Sequence, residues 1–127
     1  MTLSRTGFLA LALTFSAGIH AALVPEHLKE LPRLGYAFIA AAVIGAMLAC
    51  CLVARPDERV RQLAGLFCFG QIAAWALFVT AAVPGFPGTP EPVESIAVVA
   101  KMVEAIAAVL ALSQTRRTTR RELRWTA

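Results

Sequence analysis

Residues 34–54 read LGYAFIAAAVIGAMLACCLVA, a run of 21 residues without a charged side chain. An α-helix rises about 1.5 Å per residue, so about 20 apolar residues in a helix cross the ~30 Å hydrocarbon core of a bilayer. This stretch is therefore long and apolar enough to span a membrane.

Three further stretches share this character. Charged residues are also absent from 6–25 and 62–90, and the apolar run 93–112 contains three of them. The chain of 127 residues has 12 basic and 8 acidic side chains and a mean hydropathy of +0.69, which leaves little sequence for a water-soluble domain. Because lipid offers no partner to a free backbone amide, each stretch must be a helix. The sequence predicts an all-α antiparallel bundle of four transmembrane helices in a single membrane domain over 1–127, with helices at about 6–24, 34–54, 59–83 and 93–113 and a basic tail over 114–127.

The distribution of basic residues predicts the orientation, because cytoplasmic loops carry the excess of Lys and Arg. With the N-terminus inside, the outer side receives only Lys29 and Arg33. The inner side receives nine: Arg5, Arg55, Arg59, Arg61, Arg116, Arg117, Arg120, Arg121 and Arg124. We therefore expect a multi-pass protein of the cell (plasma) membrane with both termini in the cytoplasm.

The first stretch has an alternative interpretation as a cleaved signal peptide, since Arg5 precedes an apolar segment with small residues at its end. A cut after Ala22 would place His20 where a small residue is required, so an uncut anchor is preferred. We expect this helix to end at Pro25, segment 25–32 to form a short separate turn at the interface, and the Pro- and Gly-rich segment 84–92 to be irregular.

The fourth stretch contains the most informative residues, Lys101 and Glu104. Both lie near its centre, and a charge at mid-membrane depth usually faces the protein interior and has a partner. Glu94 lies seven residues before Lys101 on the same helix face, and Gln71 lies at similar depth on the third helix. We predict a buried polar site of Glu94, Lys101, Glu104 and Gln71 that binds or conducts a cation, a proton or a small polar solute.

Two other interpretations of these charges stay open. Lys101 and Glu104 could neutralise one another and only fix the rotation of the helix. Alternatively, the chain could be a structural or accessory subunit, or a homo-oligomer, whose buried charges contact a partner helix.

The outer side carries both histidines of the chain. His20, His27 and Glu26 offer imidazole and carboxylate groups that suit a divalent metal, or haem in a membrane oxidoreductase. No H-x3-H or H-E-x-x-H spacing is present, so an interfacial histidine on a solvated loop is the alternative.

A third candidate is a soft-metal site of Met47, Cys50, Cys51 and Cys68. The vicinal cysteines resemble the Cys pair of four-helix mercury-transport proteins, although that family carries the pair on its first helix and this chain carries it on the second. A buried free cysteine also serves as a small apolar residue.

The arginine tail predicts contact with anionic lipid headgroups rather than nucleic acid, because juxtamembrane basic residues are accounted for by topology. The sequence contains no P-loop, no G-x-G-x-x-G and no G-x-S-x-G, so nucleotide and serine-hydrolase chemistry lacks its usual residues. These absences favour a non-enzymatic protein.

Several short segments resemble a group of small, uncharacterised four-helix integral membrane proteins of actinobacterial type. The resemblance rests on Gly18-Ile19-His20, Pro25-Glu26-His27-Leu28, Glu30-Leu31-Pro32, Gly35-Tyr36-Ala37-Phe38 and the Pro-Gly-Phe-Pro-Gly segment at 84–88. It implies the four-helix fold and no particular activity. Small multidrug exporters share the length and helix number, but their first helix carries a Glu that 6–24 lacks.

Overall fold

The four charge-poor stretches form four long α-helices. The computed structural model describes residues 4–81, 83, 84 and 94–125, with side chains described as far as residue 113. Its helices are α1 (Arg5–Glu30), α2 (Pro32–Ala54), α3 (Glu58–Thr80) and α4 (Ser95–Trp125). Helices α1 to α3 and the segment Ser95–Ser113 of α4 are each long and apolar enough to cross a membrane. The predicted all-α fold with four membrane-length helices is therefore confirmed.

Local side-chain chemistry accounts for where these helices begin. The hydroxyl of Ser4 accepts a hydrogen bond from the Gly7 amide at 3.0 Å, and the carboxylate of Asp57 accepts one from the Val60 amide at 2.9 Å. Each cap satisfies an amide that has no partner inside its helix. Helix α2 begins at Pro32, where the missing N–H costs nothing.

The predicted end of the first helix at Pro25 was wrong, and so was the separate turn over 25–32. Helix α1 continues through Pro25 to Glu30. A proline removes one hydrogen bond of a helix, and the turns around it are held by other contacts. The Nδ1 atom of His27 donates to the Leu23 carbonyl at 2.9 Å. Leu28 packs so closely on Gly35 of α2 that a Cβ at Gly35 would come within 2.7 Å of the Leu28 backbone nitrogen.

The last helix also differs from its prediction. Helix α4 begins at Ser95 rather than near 93, and it does not end near Ser113 but continues to Trp125. The first twelve residues of the predicted tail are therefore a continuation of α4. The irregular connection predicted over 84–92 lies, from residue 85 onward, outside the described residues.

Sequential helices pack as neighbours. The most extensive contact is between α1 and α2, followed by α3 with α4, then α1 with α4, and then α2 with α3. Small residues allow the close approaches, because a Cβ at Gly45 would lie 3.2 Å from the Ala17 Cβ, and one at Gly65 would lie 3.0 Å from the Ala111 Cβ.

The buried core occupies only the half of the bundle that contains the α2–α3 connection, which we call the dense half. We call the other half, toward the α1–α2 connection, the open half. Its members are mostly Leu and Ala: Leu9, Ala10, Ala12, Leu13, Ala49, Leu52, Ala64, Cys68, Ala107, Ala108 and Ala111. Large apolar side chains on the outer surface, such as Val53 at 75% and Val109 at 67% exposure, suit contact with lipid.

Candidate functional site

Lys101 and Glu104 form an ion pair inside the bundle. The Lys101 Nζ lies 2.7 Å from the Glu104 Oε2, and the two side chains are 12% and 1% exposed. Their spacing of three residues places both on one face of α4. The pair lies near the middle of the membrane-length segment Ser95–Ser113.

Helix α1 supplies the second partner of the carboxylate. The Ser16 hydroxyl, which is buried, donates a hydrogen bond of 2.6 Å to the Glu104 Oε1. Both carboxylate oxygens therefore accept hydrogen bonds, one from a cation and one from a hydroxyl. Hydrogen bonds to an ionised group are stronger than those between neutral groups. The contact between Ser16 and Glu104 therefore links α1 to α4 at mid-depth.

His20 extends the cluster by one helical turn. Its Nδ1 lies 2.8 Å from the Ser16 carbonyl oxygen and 3.4 Å from the Ser16 hydroxyl. A carbonyl can only accept, so Nδ1 must carry the proton of this hydrogen bond. In the neutral imidazole, Nε2 is then the nitrogen with a free lone pair.

The cluster is electrically balanced. Lys101 contributes one positive charge and Glu104 one negative charge, while the two α1 side chains are uncharged when His20 is neutral. An isolated charge in a low-dielectric interior costs several kcal/mol, and pairing with good hydrogen bonds offsets that cost. The arrangement therefore satisfies the buried carboxylate within this chain.

A cavity of about 120 Å³ adjoins the cluster in the open half of the bundle, toward the α1–α2 connection. All four helices line it. Its polar lining residues are His20, Gln71 and Lys101. The apolar and aromatic ones are Ile19, Leu23, Leu34, Ala37, Phe38, Ala41, Ala74, Trp75, Phe78, Ala97 and Ala100. A space of this size holds several water molecules or one small solute.

The structure brings together three of the four residues of the predicted polar site. Lys101 and Glu104 are in direct contact, and Gln71 lines the same cavity as Lys101. Glu94 does not join them, since it is exposed directly before the first residue of α4. It belongs to the helix end, where its carbonyl accepts the Val98 amide at 3.1 Å.

The histidines predicted to form an outer metal site take different places. His20 belongs to the buried cluster. His27 stacks on Phe38, with ring centroids 4.3 Å apart and planes at 20°, and Glu26 is exposed. No group of three or more His, Cys, Asp or Glu side chains that could hold a metal ion occurs among the described residues. The predicted site for a divalent metal therefore finds no support in this geometry.

The predicted soft-metal site also finds no support in the structure. Cys50, Cys51 and Met47 are exposed on α2, whereas Cys68 is buried in the core of the dense half. The part of the chain that the structure describes contains no cysteine cluster suited to a metal. Cys68 thus has the burial expected of a small apolar residue.

Sequence reasoning missed the role of His20. Its signal was present in the spacing: Leu9, Leu13, Ser16 and His20 follow one another at intervals of four, three and four residues, which is a single face of a helix. All four are buried. The polar pair at the end of this face could have been assigned to the interior on that basis.

Comparisons with family models, curated proteins and solved structures found no match to this chain.

Proposed function

We propose that this chain is a multi-pass membrane protein that binds a small, uncharged polar solute in the cavity beside the Lys101–Glu104 pair. The observation that carries the proposal is a charge-balanced cluster adjoining a largely apolar cavity. Lys101 keeps two N–H donors beyond the one given to Glu104, Gln71 offers an amide, and His20 offers a lone pair. A few convergent polar groups in an apolar pocket are typical of small-molecule sites.

The same balance disfavours a cation as the occupant. A cation in a largely apolar cavity needs a compensating negative charge, and the Glu104 carboxylate is already paired with Lys101 and accepts a hydrogen bond from Ser16. An ion entering the cavity would leave water without a compensating charge, which is costly. A neutral solute pays no such penalty.

Packing favours binding over conduction. The cavity lies in one half of the bundle, and the Leu- and Ala-rich core fills the other half within the described residues. A solute would therefore enter and leave at the end that carries the α1–α2 connection.

The two rival functions have less support. A subunit that docks a partner through buried charges needs unpaired charges, and Lys101 and Glu104 pair with each other. An oxidoreductase whose metal is held by three or more His, Cys, Asp or Glu side chains finds no such group among the described residues.

We also propose that the protein lies in the plasma membrane with both termini in the cytoplasm, on the strength of the arginine asymmetry. Reporter fusions at each end test this orientation. A reporter active only in the cytoplasm should work at both termini, and activity of an exported reporter at either terminus would contradict the proposal.

Tryptophan fluorescence tests the binding proposal. The chain has two tryptophans, and Trp75 lines the cavity. The variant Trp125→Phe, reconstituted in lipid nanodiscs, is titrated with urea, acetamide and glycerol and with the ions guanidinium, acetate and ammonium. We expect a saturable change in Trp75 emission with the neutral solutes. A failure of all three, or an equal response to the ions, would overturn the proposal.

A matched pair of variants locates the response. Ala97 lines the cavity, whereas Ala105 is exposed on the same helix. Ala97→Leu should fill the cavity and abolish the change in emission, and Ala105→Leu should leave it intact. Equal behaviour of the two variants would mean that solute binds elsewhere.

A further inference from the structure

Lys101 combines a reactive group with access to the cavity. Its ammonium pairs with the Glu104 carboxylate, and its side chain lines the cavity wall. Most of that wall is apolar or aromatic, with Trp75 and Phe78 among its residues. Burial removes hydration from both charges of a lysine–carboxylate pair and so favours their neutral forms. The apolar surroundings therefore lower the free energy needed to move a proton from the ammonium to the carboxylate.

Three side chains on two helices have the arrangement of an activated nucleophile. In such an arrangement, the nucleophile lies within hydrogen-bond distance of a base, and a third group orients the base. The Lys101 Nζ lies 2.7 Å from the Glu104 Oε2, and the Ser16 hydroxyl donates to the Glu104 Oε1 at 2.6 Å. The geometry thus offers a lysine amine, an oriented base and a cavity in which a reactant can lie beside the amine.

We propose that Lys101 captures a small aldehyde or ketone in the cavity as a protonated imine, with Glu104 as the base. Lysine is the side chain that forms imines with carbonyl compounds. Aldehydes and ketones are uncharged and polar, so the inference rests on the proposed function and names the class of solute. Gln71 lines the same cavity, and its amide N–H groups are suited to donate to a carbonyl oxygen.

The ion pair supplies every proton that the capture needs. The Lys101 ammonium gives a proton to the Glu104 carboxylate, and the nitrogen lone pair then forms a bond to the carbonyl carbon. Glu104 donates its proton to the carbonyl oxygen and takes one from the nitrogen, which gives a neutral carbinolamine. Glu104 then protonates the hydroxyl group, the C–O bond breaks, and the nitrogen lone pair completes the C=N bond. The products are a protonated imine, the Glu104 carboxylate and one water molecule, and no oxidant or reductant is consumed.

The product preserves the charges of the cluster. A protonated imine carries the same single positive charge as the ammonium, and it keeps one N–H that can donate to the Glu104 carboxylate. The hydrogen bond from Ser16 to Glu104 is compatible with both states. A solute that fills the cavity also displaces the water that would hydrolyse the imine.

Reductive trapping on the wild-type chain tests the capture. The protein in lipid nanodiscs at neutral pH is treated with propionaldehyde and dimethylamine borane, an uncharged reductant that converts an imine into a stable alkylamine. Peptide mass spectrometry compares Lys101 with Lys29, which is the other lysine of the chain and is exposed. A lysine amine exposed to water is almost wholly protonated at this pH, and a general base contributes about 10²- to 10⁴-fold. Restricted entry removes part of that advantage, so we expect alkylation at Lys101 to be at least about tenfold faster.

Three variants locate the reaction. Ala97→Leu should fill the cavity and abolish alkylation at Lys101, whereas Ala105→Leu, at an exposed position on the same helix, should leave it intact. Glu104→Gln removes the group that moves the protons and should slow alkylation at Lys101 by at least about tenfold. An unchanged rate in Ala97→Leu or in Glu104→Gln would overturn the role of the cavity or of the base.

The emission of Trp75 separates this inference from the proposed function. It is measured in Trp125→Phe during titration with propionaldehyde without the reductant. A saturable change in emission, with alkylation no faster at Lys101 than at Lys29, would overturn the covalent capture and leave solute binding in place. An absence of both the emission change and the alkylation at Lys101 would overturn both proposals.

Discussion

Replacing Lys101 with methionine removes the cation from the buried pair and leaves the Glu104 carboxylate with the Ser16 hydroxyl as its partner. Removing one member of a buried ion pair costs about 3–5 kcal/mol, because the remaining charge is left uncompensated. Glu104 is 1% exposed, so water cannot replace the lost ammonium. We therefore expect Lys101→Met to lower the free energy of unfolding by about 3–5 kcal/mol.

Removing the charge of Glu104 instead of Lys101 should lower the free energy of unfolding by a smaller amount. In Glu104→Gln, the amide oxygen still accepts a hydrogen bond, and the Lys101 side chain, 12% exposed, adjoins the cavity where water can solvate it. We expect a loss of about 1–2 kcal/mol. The double variant K101M/E104Q should lose less stability than the sum of the two single losses, with a coupling free energy of at least about 2 kcal/mol.

Unfolding in mixed micelles with increasing dodecyl sulfate, followed by circular dichroism, measures these differences. Lys29→Met is the matched control, since Lys29 is the other lysine of the chain and is exposed. It should change stability by less than about 0.5 kcal/mol. A Lys101→Met variant as stable as this control, or a double variant without coupling, would mean that the buried ion pair does not stabilise the bundle.

Two further substitutions test the packing of the bundle by the same unfolding assay. Ser16→Ala removes the donor to the Glu104 carboxylate and should cost about 1.5–3 kcal/mol; a neutral result would mean that this hydrogen bond does not stabilise the fold. Gly65→Leu should cost about 1–3 kcal/mol, because a Cβ there already lies 3.0 Å from the Ala111 Cβ. Gly70→Leu, where nothing lies within 4 Å, should be close to neutral, and equal costs at the two glycines would contradict the described contact between α3 and α4.

The fold could be predicted from sequence because its cause is simple. Hydrocarbon excludes charge and free backbone groups, so four long charge-poor stretches can only be helices. The same physics predicted that Lys101 and Glu104 would face the interior of the bundle, since a charge at mid-depth is costly unless it is buried and paired. Their pairing with each other was one of the arrangements that the sequence left open.

The error at His20 follows from the error at Pro25. Ending the first helix at Pro25 placed its centre near residue 15 and left His20 at the membrane surface. Helix α1 instead extends to Glu30, so its centre shifts toward His20, which lies one turn from Ser16. A proline signals a lost hydrogen bond in a helix, and tertiary contacts such as that of Leu28 with Gly35 decide whether the helix continues.

The cavity could not be predicted from sequence at all. Its walls come from four helices, and its volume depends on how the small and aromatic side chains of those helices face one another. Gln71 and Trp75 share its lining with Lys101 because α3 and α4 pack together. Spacing along one helix carries no information about such a juxtaposition.

The decisive observation is the distance between the Lys101 and Glu104 side chains in a bilayer. The substitution Lys29→Arg leaves Lys101 as the sole lysine, so ¹⁵Nζ-labelled lysine and ¹³Cδ-labelled glutamate report this pair by solid-state dipolar recoupling. The Nζ–Oε2 distance of 2.7 Å predicts strong dephasing that Glu104→Gln removes. Dephasing as weak as in Glu104→Gln would show that the two charges are not paired in the membrane, and the buried ion pair would be disproved.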